Sequence, residues 1–374
     1  MPAATPTSLL TYTLLGLALA AFIVAISLLL RGALQRPARQ NLGLRITGRR
    51  DYPNHWFTLI LQRPWYARAL PLPRFQAGQS VAVSLTGAQS KAPLRRRYSL
   101  ARWKKVPFEY EITIKPEAQG KLSQRLAIEA QIGTTLCVEI PSGNFILPQR
   151  PSTQRAVLIA GGVGITPLLA MLDRYQTMRV GEASSFQEIH LYWQVRFEHE
   201  WMYREALQQH ALRDARIRVR LLASKALDGT AGRISIAMLK QELGKLSDST
   251  FLMCASQPML DDLSAGLQAN GVAPTAIHFE RFALGVSARE AGPWQLTIAG
   301  KSIPFQGHTN LLEALEDGGV ALPSDCRTGT CGECRINVLA GLTCNLVQAE
   351  FIVPAGQVLA CCCIPQSDLT LSHA

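Results

Sequence analysis

Three of the nine cysteines in this chain of 374 residues fall at a spacing that binds metal. Cys326, Cys331 and Cys334 lie in "CRTGTCGEC", a C-x4-C-x2-C run. Thiolate sulfur is a soft donor suited to iron and zinc, and several thiolates converging from one tight loop are what two sulfide-bridged irons need. Gly329 and Gly332 let the backbone wrap close to inorganic sulfide and leave N–H groups free to donate to sulfur. Structural zinc usually takes two C-x2-C-like pairs. One such pair stands here beside a C-x4 partner, so an iron–sulfur site is the main reading and a zinc-stabilised interaction protein the alternative. A fourth thiolate must come from elsewhere. "VLACCCIP", 358–365, offers Cys361, Cys362 and Cys363 side by side. In an extended segment Cys362 points to the opposite side from its neighbours, and Cys363 reaches the loop only after a local shift.

Other stretches suit phosphates and flat rings. In "RRRYSL", Arg96 offers a guanidinium fork for phosphate oxygens, Tyr98 an aromatic surface and Ser99 a hydroxyl. A solvated basic strand is the plainer alternative. "GKLSQRL" opens a helix with Gly120 and Ser123, where backbone N–H groups favour a pyrophosphate. "IAGGVGITP", 159–167, follows an apolar strand and precedes a helix. Gly161, Gly162 and Gly164 there allow the backbone close to a diphosphate.

These groups need a scaffold. "WFTLILQ", "SVAVSL", "YEITIK" and "TLCVEI" read as short strands of an antiparallel barrel, separated by Gly and Pro turns. From "RAVLIAGG" onward, "EIHLYWQV", "RIRVRLLA" and "TFLMC" alternate with helical stretches, which argues a parallel α/β sheet. "QLTIAGKSIPFQ" then reads as a hairpin, with an amphipathic helix at "NLLEALEDGG" before the cysteine loop. The fold class is therefore multi-domain. The expected parts are a transmembrane anchor and basic linker at 1–40, an antiparallel β-barrel at 41–150, an α/β domain at 151–284 and an α+β domain at 285–374.

The anchor is expected because residues 1–30 carry no charged side chain. The apolar run Leu9–Leu30 would span about 33 Å as a helix, at ~1.5 Å per residue. Arg31, Arg36, Arg39, Arg45, Arg49 and Arg50 follow before the first acid, Asp51. The positive-inside rule then gives a single pass through a bacterial-type inner membrane, with the remaining domains cytoplasmic and lipid as a partner. A signal peptide fits less well, since no basic n-region precedes the run, and a disulfide framework is not expected.

The net charge of +11 is uneven. Residues 31–150 hold 20 Lys and Arg against 6 Asp and Glu, whereas 293–374 hold 3 against 7. The acidic tail can therefore dock on the basic first half, a steering effect that salt weakens. No basic face with interleaved aromatics is present, which argues against nucleic acid.

The C-x4-C-x2-C spacing is that of plant-type ferredoxins. Together with R-x-Y-S, G-x-x-S and the glycine turn, it resembles the ferredoxin–NADP reductase superfamily fused to a C-terminal 2Fe-2S domain. Residues 42–374 are similar to the reductase components of bacterial oxygenases and to hybrid-cluster protein reductases. The resemblance implies a flavin-binding barrel at 41–150, a nucleotide domain at 151–284 and a β-grasp ferredoxin-type domain at 285–374. The resemblance implies Arg96 on a flavin phosphate, Tyr98 packed on the isoalloxazine and Ser99 near flavin N5. It makes FAD the flavin, with FMN the alternative. Lys115, Gly120 and Ser123 join the cofactor-binding set, as do Gly161, Gly162, Gly164, Thr166 and Arg196 for the nicotinamide dinucleotide. Further matches are "GRIS" at Gly232 and Arg233, and "PSGNF" at 141–145. Cys254, in "CASQPM", is implied beside the nicotinamide, although Ala255 departs from the superfamily's C-G-P. Glu280, in "HFERF", is implied as a proton shuttle or nicotinamide neighbour, with a surface salt bridge the alternative. Ser224 and Lys225 stand where NADPH-specific members carry a Ser-Arg pair, a lean towards NADPH over NADH. The ending L-x-C-x3-P selects Cys361 as fourth ligand, through Leu359 and Pro365. The implied activity converts hydride donation by NAD(P)H into single-electron delivery to an acceptor protein, an oxygenase, desaturase or hydroxylase component. A membrane-bound ferredoxin-like carrier with non-catalytic flavin and nucleotide domains is the alternative.

Overall fold

Short runs of alternating apolar and polar residues build the first half. The computed structural model describes residues 41–85, 95–117, 121–148, 153–178, 186–225, 232–281, 293–329, 331–346 and 351–374. Strands β1 (Asn41–Asp51), β2 (Phe57–Gln62), β3 (Ser80–Leu85), β4 (Arg95–Ser99), β5 (Glu109–Ile114) and β6 (Thr135–Glu139) form one sheet. Its order is β4-β3-β6-β1-β2-β5. A bridge between Leu100 and Ile112 brings the two outer strands together, which closes the sheet into a barrel. Helix α1 (Lys121–Glu129) buries Leu122 and Leu126. Arg49 of β1 donates to the carbonyls of Ala127 and Ala130, satisfying that helix end.

The second half-chain alternates strand and helix. Strands β7 (Arg155–Gly161), β8 (Glu188–Val195), β9 (Ile217–Ala223), β10 (Ser249–Ala255) and β11 (Ile277–Arg281) lie in the order β11-β10-β7-β8-β9. Every pairing is parallel. Helices α2 (Ile165–Gln176), α3 (Arg204–Arg213), α4 (Ile236–Leu243) and α5 (Gln257–Ala269) connect them. All seven residues of β10 are buried, as a strand covered on both faces requires. The chain winds from β7 to β9 on one side and returns to β10 on the other. The switch point therefore lies at the carboxyl ends of β7 and β10, where open α/β sheets bind ligands.

The last module pairs β12 (Trp294–Ile298) and β13 (Lys301–Phe305) as the expected hairpin. Ala299 and Gly300 both have positive φ at its two-residue turn, which matches the twist of the strands. Helix α6 (Leu311–Asp317) starts at Asn310, whose side chain accepts the Glu313 N–H. Strands β14 (Arg335–Ala340), β15 (Thr343–Asn345), β16 (Gln357–Leu359), β17 (Cys363–Pro365) and β18 (Leu369–His373) complete it. The main sheet runs β13-β12-β18-β14-β16 with β12 and β18 parallel, and β15 pairs β17 separately. Gly43–Ala374 form one compact unit.

The localisation is corrected. Among the described residues no helix is long and apolar enough to cross a membrane. The run at 9–30 lies outside the described residues. Three of the six arginines that oriented the expected span, Arg45, Arg49 and Arg50, lie on β1 of the barrel. Arg49 holds Asp51 and the end of α1, and Arg50 pairs with Glu111 at 2.7 Å. The charge of Arg49 and Arg50 serves the fold, and the inner-membrane placement and the lipid partner are withdrawn.

Candidate functional site

At the switch point β7 ends in Gly161 and β10 in Ala255, and α2 begins just beyond Gly164. A Cβ on Gly164 would lie 1.9 Å from the Cys254 carbonyl oxygen. Only glycine lets the turn sit that close to β10. Gly162 has φ +56, a conformation that favours glycine as well. Its carbonyl accepts from Trp193 Nε1 at 2.8 Å, which pins the turn. Trp193 was not singled out from the sequence, where it is one more apolar residue of a buried strand.

Register places Cys254 of β10 beside Glu280 of β11. Ser99, at the end of β4, donates its hydroxyl to Glu280 Oε2 at 3.0 Å, and Cys254 Sγ lies 3.8 Å from the same oxygen. Ser99, Cys254 and Glu280, implied by the resemblance to lie near flavin N5 and the nicotinamide, thus converge from three strands and two modules. Burial, then the Glu280 charge, pushes the Cys254 thiol well up. In its contact with Glu280 Oε2 the thiol is the donor.

A cavity of about 550 Å³ opens beside this group. Ser99, Glu280, Asn144 and Phe145 line it, and so do Cys326 and Cys331 of the cysteine loop. The nucleotide end and the metal end of the chain thus face one space.

The flavin motif lies along β4. Burial, with the Arg327 charge next, lowers the Arg96 guanidinium to about 10. The Glu316 and Glu313 carboxylates act the other way, and Glu316 already pairs with Arg327; the guanidinium fork of Arg96 is the feature that suits a phosphate. Burial pushes the Tyr98 phenol up, as a ring meant for an apolar surface requires. The Ser123 hydroxyl accepts the Glu117 N–H at 3.1 Å. Gly120 lies outside the described residues.

A second cleft of about 1250 Å³ runs from the glycine turn. The expected residues Gly161, Gly162, Arg196, Ser224, Lys225 and Lys115 line it, together with Arg233 and Trp56. The N–H groups of Ser224 and Lys225 donate to the carbonyls of Val195 and Arg196, which folds the end of β9 against that of β8. Lys115 Nζ stands 5.9 Å from the Trp56 ring centroid. Thr166 is not among the lining residues: its hydroxyl turns back to the Val163 carbonyl at 3.1 Å.

In the cysteine loop, backbone N–H groups point at sulfur. Thr328 and Cys331 donate to Cys326 Sγ at 3.4 and 3.3 Å, and Cys326 donates to Cys331 Sγ at 3.5 Å. Gly329 and Gly332 have φ of 85° and 73°. Contact with the Cys361 thiol, then burial, pushes the Cys334 thiol up, so these two sulfurs sit together. Among the described residues no group of three or more metal-ligating side chains is gathered for a single ion; the sulfurs stand as two pairs, Cys326 with Cys331 and Cys334 with Cys361, an arrangement compatible with two irons that share four thiolates. The triplet is arranged differently from expectation. Residues 360–362 form a 3-10 turn rather than an extended segment, so Cys362 Sγ lies 3.5 Å from Cys361 Sγ instead of on the opposite side.

Comparison with known proteins agrees with this layout. The description "Oxidoreductase NAD-binding domain" matches residues 158–265, and "2Fe-2S iron-sulfur cluster binding domain" matches 296–366. The fold is similar to that of phthalate dioxygenase reductase, with TM-score 0.66 and 23% identity over 89% of this chain and 98% of that one. Phthalate dioxygenase reductase of Burkholderia cepacia is 27% identical over 72% of this chain and 79% of its own. Phenoxybenzoate dioxygenase subunit beta of Ectopseudomonas oleovorans is 30% identical over 77% of this chain and 84% of its own. The chain belongs to the phthalate dioxygenase reductase-like family. This family member is an oxidoreductase of the ferredoxin reductase type. Its redox groups are NAD(P)H, FAD and a 2Fe-2S cluster.

Proposed function

We propose that this reductase draws electrons from NAD(P)H and delivers them to an oxygenase-type acceptor protein. Support comes from similar proteins named as a phenoxybenzoate dioxygenase subunit, a phthalate dioxygenase reductase and a subunit of 1,2-phenylacetyl-CoA epoxidase. The observation that carries the reading is the shared cavity, with Ser99 and Glu280 on one wall and Cys326 and Cys331 on another. When bound, the flavin and the cluster supply hydride acceptance and single-electron release.

The chain's own residues supply position. Arg96 and the start of α1, with Gly120 and Ser123, hold the FAD phosphates; Tyr98 covers the ring. Gly161, Gly162 and Gly164 admit the nucleotide diphosphate, and Arg196 with Lys115 lines its path. Glu280 keeps the Ser99 hydroxyl and the Cys254 thiol oriented at the point where nicotinamide and flavin meet. Lys225 and Arg233 gather positive charge in the cleft with the Ser224 hydroxyl beside them, which favours the extra phosphate of NADPH. Cys326, Cys331, Cys334 and Cys361 bind the cluster. The module bounds 41–150, 151–284 and 285–374 belong to the same proposal.

Anaerobic titration with NADH and, separately, NADPH tests the reading, followed by visible and electron paramagnetic resonance spectra. Flavin bleaching followed by a reduced-cluster signal is expected. A cluster that dithionite reduces but neither nucleotide can reach refutes it.

A further inference from the structure

Arg97 is the position between Arg96 and Tyr98 to which the flavin motif gives no role. Its Nε donates to Ser80 Oγ at 3.0 Å, and Nη2 reaches Ser80 O, Ser142 O and Ser142 Oγ at 2.9, 2.9 and 2.7 Å. Nη1 donates to Asp325 Oδ2 at 2.8 Å. Ser80 opens β3, Ser142 lies in the chain leaving the barrel, and Asp325 immediately precedes Cys326. One guanidinium therefore ties two barrel segments to the cysteine loop. The other carboxylate oxygen, Oδ1, lies 3.2 Å from Arg95 Nη2, and Arg95 is also paired with Glu139.

Strand alternation puts Arg95, Arg97 and Ser99 on one face of β4. The first two grip Asp325 and the third reaches Glu280. The strand that carries the flavin motif is thus also the seat of the metal loop. An exposed ion pair would contribute little. Here the side chains of Arg97 and Asp325 are only 15% and 14% exposed, and losing the carboxylate would leave the largely buried Arg97 guanidinium held by the neutral oxygens of Ser80 and Ser142, while Arg95 keeps Glu139.

We propose that Asp325 is a positioning residue: gripped by Arg97 and Arg95, it seats the cysteine loop on β4 and sets the gap that electrons cross between the flavin site and the cluster. This rests on the electron path proposed above. It predicts that seating depends on charge as well as shape.

The test is anaerobic rapid mixing of the loaded protein with NADH or NADPH, recording flavin bleaching and cluster reduction separately. In Asp325→Ala the ratio of cluster-reduction rate to flavin-bleaching rate is expected to fall about tenfold, equivalent to ~1.4 kcal/mol of lost seating. The dithionite-reduced cluster should keep its paramagnetic spectrum. Asp325→Asn should resemble the alanine variant, and Asp325→Glu should recover part of the ratio. Arg97→Gln, altered on the barrel side, should give the same loss. An unchanged ratio in Asp325→Ala and Arg97→Gln overturns the proposal. So does loss of the cluster in Asp325→Ala with an unchanged ratio in Arg97→Gln. A parent protein whose cluster no nucleotide reduces overturns the electron path and this inference with it.

Discussion

Replacing Gly164 by alanine probes the packing beneath the nucleotide turn. Gly164 has φ −58 and ψ −5, which alanine adopts without strain, so the substitution tests space alone. The added Cβ would stand 1.9 Å from Cys254 O, and ordinary contact begins at 3.4 Å. The backbones must part by about 1.5 Å (3.4 − 1.9). Neither neighbour has a rotamer to turn away, so the cost should sit near the upper end of overpacking, about 3 kcal/mol. For a cooperatively melting unit of about 150–250 residues that corresponds to a fall of roughly 6–12 °C in Tm. Cys254 belongs to the group around Glu280, so the shift should also reach the chemistry: a displacement of about 1 Å can lower the rate on the order of 100-fold. Thermal melting and rapid-mixing flavin bleaching with NADPH are the assays. A Gly164→Ala protein that melts within 2 °C of the parent (about the assay's resolution) and bleaches equally fast would refute the packing argument.

Other substitutions test separate parts. Cys361→Ser should abolish or shift the cluster's absorbance and paramagnetic spectrum, whereas Cys362→Ser and Cys363→Ser should leave both in place. Lys225→Ala should raise KM for NADPH about tenfold, the loss of one charge-assisted phosphate contact, and leave that for NADH within about twofold. Asp173 accepts from Arg102, the Trp103 N–H and His210, which joins barrel and nucleotide module. Burial opposes its ionisation, but the hydrogen bonds from His210 and Arg102 outweigh burial and hold its carboxyl below the usual 3.8. Its contribution is therefore complete above the unfolded value and is lost as pH falls through the lower folded one. Urea midpoints measured from pH 6 downward should drop less steeply for Asp173→Asn than for the parent below about pH 4. Identical acid slopes would remove Asp173 from the account.

Contiguous motifs were readable because their chemistry is local. The cysteine spacing, the glycine turn and R-x-Y-S each lie within nine residues, and the structure gathers Ser99, Cys254 and Glu280 as a group. The long apolar strands of the parallel sheet were equally plain. Strand β1 was missed because the arginines on it resembled membrane-flanking charge, and a register irregularity between Ile46 and Gly48 interrupts its alternation. The turn at 360–362 was missed because alternation was assumed for a segment that coils. Contacts of long range left no local trace: Arg97 and Asp325 are 228 residues apart, and nothing beside either announces the other.

The seat on β4 has a bearing on protein engineering. Grafting an iron–sulfur module from one reductase onto another has to keep the cysteine spacing. In this chain the acid one place before the first cysteine must also meet two arginines two positions apart on the host barrel. A chimera that keeps every metal ligand but carries a neutral residue there would assemble its chromophores and conduct poorly between them.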